Sequence, residues 1–189
     1  MNILVTGANG QLGNEMQVLA RENLQHTYFF TDVQELDICD EQAVYAYVSE
    51  HKIDIIVNCA AYTAVDKAED NVEPCDKLNH IAPGYLARAA QANGAAMIQV
   101  STDYVFDGTA HIPYTEEEPT CPASVYGSTK LAGEQNVMDH CEKAMVIRTA
   151  WLYSIYGNNF VKTMIRLGQE RDSLGVIFDQ IGTPTYTYD

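Results

Sequence analysis

Three glycines at a fixed interval follow the first apolar run of the chain. Ile3-Leu4-Val5 leads through Thr6 into Gly7-Ala8-Asn9-Gly10-Gln11-Leu12-Gly13. A short, wholly apolar run reads as a strand buried on both faces, and so as part of a parallel sheet covered by helices. Glycine admits the tight turn and lets a ligand approach the backbone. The helix that follows offers unpaired N–H groups and the positive end of its dipole to an anion. Strand, glycine loop and helix in that order make Gly7, Gly10 and Gly13 a candidate dinucleotide cradle, although the spacing is G-x-x-G-x-x-G rather than G-x-G-x-x-G.

Further strands and helices alternate after it. Thr27-Tyr28-Phe29-Phe30 is a second strand, and Asp32 at its end suits the acceptor for a ribose hydroxyl. A strand-end turn would use the same residue. No Lys or Arg stands beside Asp32 in the sequence to neutralise a 2′-phosphate, so charge favours NADH over NADPH. Asp37-Ile38 lies where the loop could pass the adenine. Asp40 can cap a helix bearing Val44, Tyr47 and Val48 at helical spacing. Asp54 to Asn58 is a third strand. The small residues after it, around Ala60, Ala61, Tyr62 and Thr63, leave room for the ribose and nicotinamide half of a cofactor.

A long apolar stripe from Leu78 to Ala90 predicts a helix, with Pro83 implying a kink or a late start and Gly94 closing it. Ala96 to Val100 is a fourth strand that delivers Ser101-Thr102-Asp103 to the carboxyl edge, where open parallel sheets bind ligands. Ala144 to Arg148 reads as a fifth strand, Asn159 to Gly168 as a helix, and Val176-Ile177-Phe178 as a short sixth strand. The pattern predicts an α/β, doubly wound parallel sheet, with residues 1–150 as one nucleotide-binding unit and 151–189 as the start of a substrate-binding region.

Tyr126 and Lys130 stand one helical turn apart. An ammonium near a phenol favours the ionised form, and a tyrosine prepared this way can act as general acid or base. The spacing alone does not decide that role; it depends on a cofactor and a carbonyl binder at the right places, and the Thr102 hydroxyl at the end of the fourth strand is well placed to contact substrate.

Composition narrows the partners. A net charge of -15 disfavours nucleic acid and anionic membranes. The five cysteines are scattered without a Cys-x-x-Cys pair and suit a reducing cytoplasm, with Cys59 as a small core residue. The histidines form no ligand pair, so no metal site is expected. The amino terminus has neither a basic n-region nor a long apolar segment, which predicts no signal peptide or membrane span.

Several blocks are longer than chance spacing explains. They include Asn58 to Glu69, Ser101 to Gly108, Tyr126 to Glu134, Arg148 to Tyr153 and Asp179 to Thr185. Together they resemble the extended, sugar-nucleotide branch of the short-chain dehydrogenase/reductase superfamily, and within it the dTDP-4-dehydrorhamnose reductase family. The resemblance implies a Rossmann-like fold and NADPH or NADH as cofactor. It implies reduction of the C4 ketone of dTDP-4-dehydro-L-rhamnose, in dTDP-rhamnose biosynthesis for cell-wall polysaccharide.

In that family's terms Tyr126 protonates the developing alkoxide, Lys130 holds the nicotinamide ribose and Thr102 bonds the carbonyl. Gly10, Gln11 and Leu12 line the pyrophosphate, and Ala61 to Thr63 line the inner ribose. Asp103, Tyr104 and Trp151 contact the sugar or its nucleotide. Asn79 matches a helix asparagine of the superfamily, whose role here could be structural. Related 4,6-dehydratases carry Asp-Glu directly after the threonine; here Asp103-Tyr104 lacks the second carboxylate, which favours net reduction over elimination. Two alternatives stay open: another sugar-nucleotide reductase or epimerase, and a non-catalytic NAD(P)-binding regulatory subunit like the partner of methionine adenosyltransferase.

Relatives of the family continue beyond Tyr186-Thr187-Tyr188-Asp189 into the rest of a smaller lobe. The chain is therefore expected to be C-terminally truncated, with an apolar face exposed and a homodimer possible. Cofactor binding should survive truncation better than turnover.

Overall fold

Leu4, Ile56 and Met97 share one rung across three parallel strands, and all three are fully buried. The computed structural model describes residues 1–189. Its strands β1 (Asn2–Thr6), β2 (Thr27–Thr31), β3 (Ile55–Asn58), β4 (Ala96–Thr102) and β5 (Ala144–Thr149) form a parallel sheet in the order β2-β1-β3-β4-β5. Alternate strand residues point to opposite faces, so each central strand needs apolar side chains on both. Ile3, Val5 and Val57 face the side where Met16 of α1 (Gln11–Glu22) packs. Leu4, Ile56 and Met97 face α2 (Glu41–Glu50), α5 (Ala82–Asn93) and α6 (Val125–His140) through Val44, Val48, Leu86 and Val137. Each of these large side chains contributes roughly 2 kcal/mol by leaving water.

Local chemistry sets the helix ends. Asp40 accepts from the Ala43 N–H at 3.1 Å and starts α2. Between β3 and α5 lie two short helices, α3 (Val65–Ala68) and α4 (Val72–Asp76), then a π-helical turn, Lys77–Ile81. Pro83 in the first turn of α5 has no N–H to give, and the Ala82 N–H reaches back to the Lys77 carbonyl instead. Of the kink or late start expected at Pro83, there is no late start: the helical backbone is continuous from Val72 to Asn93, and the π-helical turn accommodates the proline. Gly94 ends α5 at φ +70°.

The Ser124 hydroxyl accepts from the Gly127 N–H at 3.0 Å and the Glu69 carboxylate accepts from the Val125 N–H at 2.9 Å. Together they fix the start of α6, and Tyr126 sits in its first turn.

Beyond β5 the chain departs from the expected order. Strand β6 (Leu152–Tyr153) pairs in parallel with β7 (Thr185–Tyr186) in a separate two-stranded ladder, and α7 (Phe160–Glu170) lies between them in sequence. Val176-Ile177-Phe178, expected as a sixth strand, is irregular, with Phe178 fully exposed. An apolar run does not become a strand without a neighbour to satisfy its N–H and C=O groups, and none lies beside it. No helix is long and apolar enough to cross a membrane.

Candidate active site

A cavity of about 750 Å³ opens at the carboxyl ends of β1 and β3, where the strand order reverses. Gly7 takes φ +65° there, and a Cβ on it would come 2.7 Å from the Ala60 Cα. A Cβ on Gly13 would strike the Gly7 carbonyl oxygen. These two glycines bring α1 and the end of β3 against the loop, so the first is a lining residue and the second a packing residue. Gly10, Gln11 and Leu12 line the cavity at the start of α1, whose N-cap Gly10 makes no side-chain capping bond. The first-turn N–H groups are therefore free to meet an anion, and this donor set fits a dinucleotide pyrophosphate.

Asp32, Asp37 and Ile38 also line the cavity. Asp32 also serves the turn, accepting from the Val33 N–H at 2.8 Å and from the Asn9 N–H at 3.1 Å, so the turn reading of that position is realised. Lys77 lines the same cavity, a cation remote from Asp32 in sequence. Ala60, Ala61, Tyr62 and Thr63 line it as well. The backbone of Tyr62 is held by Asn79, which accepts from its N–H at 2.8 Å and donates to its carbonyl at 3.1 Å. Asn79 is buried in the π-helical turn and performs a structural task at the cavity wall.

Tyr126 and Lys130 line the cavity from α6 and are both buried. Burial pushes the Tyr126 phenol above its ordinary value, the Thr102 hydroxyl facing it pulls the other way, and Asp103 adds to the rise. Burial also lowers the Lys130 amine to about 8, against the opposing charge of Glu134. Lys130 donates to the Val100 carbonyl oxygen at 2.7 Å. A phenol made acidic by the lysine was the expectation; the phenol here keeps its proton because desolvation penalises the phenolate.

Thr102 lies just behind, donating to the Asp103 carboxylate at 3.1 Å and accepting from the Tyr104 N–H at 3.2 Å. The Tyr104 ring meets that of Tyr126 edge-on at 5.4 Å. Trp151 is not brought into the cavity. It adopts φ 49°, is half exposed and packs on Gly182.

The family described as RmlD substrate binding domain matches residues 1–189. The chain belongs to that family. It is 46% identical over 189 residues to the dTDP-4-dehydrorhamnose reductase of Escherichia coli K12, covering 98% of this chain and 62% of the relative. A crystal structure of such a reductase from Clostridium acetobutylicum superposes with a TM-score of 0.97 at 50% identity, covering 100% of this chain and 66% of that one. A reductase from Bacillus anthracis, solved with NADP, superposes with a TM-score of 0.95 at 44% identity, covering 98% and 66%. The chain thus spans somewhat under two thirds of the length of these RmlD-family relatives.

Sequence reasoning missed several lining residues, among them Lys77, Val100, Leu152, Gly157 and Asn158. Val100 was legible as a strand residue but not as the carbonyl that accepts from Lys130. Gly157 and Asn158 reach the cavity because Asn159 donates to Gln11 at 2.9 Å and Ser154 donates to the buried Glu15 at 2.7 Å, contacts across most of the chain.

Proposed function

We propose that this chain carries the cofactor-binding and proton-handling centre of an NAD(P)H-dependent reductase acting on the C4 ketone of dTDP-4-dehydro-L-rhamnose, with dTDP-L-rhamnose as product. The observation that carries the reading is that Tyr126 and Lys130, both buried, line the same cavity as the glycine loop. When bound, NAD(P)H supplies the hydride.

Gly10, Gln11 and Leu12 would hold the pyrophosphate through their N–H groups, with Asp32 on the adenosine ribose and Ala61 to Thr63 beside the inner ribose. The Tyr126 O–H gives its proton to the alkoxide that forms at C4, and its raised pKa keeps that proton available in the reductive direction. Lys130 offers N–H donors to the nicotinamide ribose and electrostatic support to the phenolate left behind. The Thr102 hydroxyl faces the phenol and is placed to orient the ketone oxygen. Asp103 and Tyr104, with residues from 151 onward, form the start of the sugar-nucleotide side.

A binding-only role has no use for Thr102, Tyr126 and Lys130 together, which favours catalysis. The test is loss of NADPH or NADH absorbance with dTDP-4-dehydro-L-rhamnose, for this chain and for a form extended to the length of its relatives. Substrate-dependent loss supports the reading. No turnover by the extended form, with cofactor still bound, rejects it.

A further inference from the structure

One rung of the sheet breaks the apolar rule. Leu4, Ile56 and Met97 are followed on the same face by Thr6, Asn58 and Gln99, which are equally buried. Polar side chains in such a place cost free energy unless every group is matched, and an apolar rung would be the more stable choice. These are matched in series. Thr6 donates to Asn58 Oδ1 at 2.6 Å, and Asn58 Nδ2 donates to Gln99 Oε1 at 2.7 Å. Gln99 Nε2 then donates to the carbonyl oxygen of Val100 at 3.0 Å. That oxygen also accepts from Lys130 Nζ at 2.7 Å. The ladder therefore ends on the atom that holds the lysine.

We propose that Gln99 is a positioning residue for Lys130, acting through the Val100 carbonyl that both side chains share. The inference rests on the proton-handling role given to Lys130 above. Asn58 orients the Gln99 amide so that its N–H points at Val100, and the carbonyl is held in one direction by two donors. The lysine amine, its stem enclosed in α6 packing, is thereby presented to the cavity at a fixed depth. The amide N–H and the ammonium share one oxygen, which has a lone pair for each, so a change of charge at Gln99 reaches the lysine as well as a change of place. The other ionisable groups near the amine are Glu134 on its own helix, Cys59 after β3 and Cys75 on α4. None of them touches the shared oxygen.

The test uses Gln99→Met, which keeps the length and removes both hydrogen bonds, and Gln99→Glu. The glutamate variant still accepts from Asn58, so it keeps that end of the ladder satisfied, but it puts an acceptor where the donor was. The first readout is the titration of the Lys130 side chain by NMR of isotope-labelled lysine, assigned by its loss in Lys130→Met; it needs no turnover. Gln99→Glu is expected to move the titration upward from about 8, because an anion next to the shared carbonyl favours the ammonium.

The second readout is turnover in the extended form. Gln99→Met is expected to lower kcat about tenfold while leaving cofactor affinity within about threefold, the signature of misplacement rather than lost binding. An unmoved Lys130 titration in Gln99→Glu, or an unchanged kcat in Gln99→Met while Lys130→Met is inactive, overturns the positioning role. Full turnover by Lys130→Met rejects the catalytic reading instead, and the titration still decides whether Gln99 governs the lysine.

Discussion

The ammonium of Lys130 and the carbonyl oxygen of Val100, 2.7 Å apart, fasten α6 to the carboxyl end of β4. The amine is nonetheless largely desolvated, and its folded-state pKa falls to about 8 from 10.5. Between those values the unfolded chain holds a proton that the folded chain has released, so this group makes stability rise with pH in that window. The stability difference between the parent and Lys130→Met should change in the parent's favour from pH 8 to pH 10, read by urea unfolding. A difference independent of pH over that window would show that the lysine is not desolvated.

Asp32 places a carboxylate in the lining of the cavity, where we propose the adenosine ribose sits. Asp32→Asn keeps one of the two oxygens that accept from the Val33 and Asn9 N–H groups and removes the charge that opposes a 2′-phosphate. The ratio of the NADPH to the NADH dissociation constant should fall by about tenfold, a single like-charge contact relieved. Isothermal titration with both cofactors measures it, and an unchanged ratio would place the 2′-position away from Asp32.

Arg148 on β5 meets Glu134 on α6 through two nitrogens, at 2.7 and 3.0 Å. The Glu134 side chain is nearly buried and that of Arg148 about a quarter exposed. Glu134→Ala leaves the guanidinium without its partner and should cost about 2 kcal/mol in urea unfolding, less than a fully buried pair because water reaches the arginine.

Two glycine substitutions should act in opposite directions. Gly13→Ala drives a methyl into the Gly7 carbonyl, which must shift the cradle, and should weaken cofactor binding by about tenfold or more alongside a loss of thermal stability. Gly168→Ala, on α7 with open space around it, should stabilise by about 0.5–1 kcal/mol. A Gly13→Ala variant with parental affinity would refute the close-approach explanation of the glycine interval.

The sheet was legible because β1, β3 and β4 are short apolar runs that can only be buried, and the glycine interval because Gly7 and Gly13 answer steric demands that other residues cannot meet. The meeting of Tyr126 and Lys130 at the cavity followed from helical spacing. Val176 to Phe178 misled because apolar character marks burial, while a strand also requires a partner. The protonation of Tyr126 was read in the wrong direction, since spacing reveals a neighbouring charge but not how much water has been removed. Gln99 looked like one polar residue in a strand, and only the register with Thr6 and Asn58 turns it into part of a ladder.

The central claim is that Tyr126 delivers the proton at a centre that binds its cofactor independently of that proton. Tyr126→Phe removes the hydroxyl and leaves the ring against Tyr104. The decisive measurement is NADPH oxidation with dTDP-4-dehydro-L-rhamnose by the extended form, set beside the NADPH dissociation constant. A rate lower by about 10² or more at an affinity within about threefold is the predicted result. A rate equal to the parent's would contradict the account and move the acid to another group.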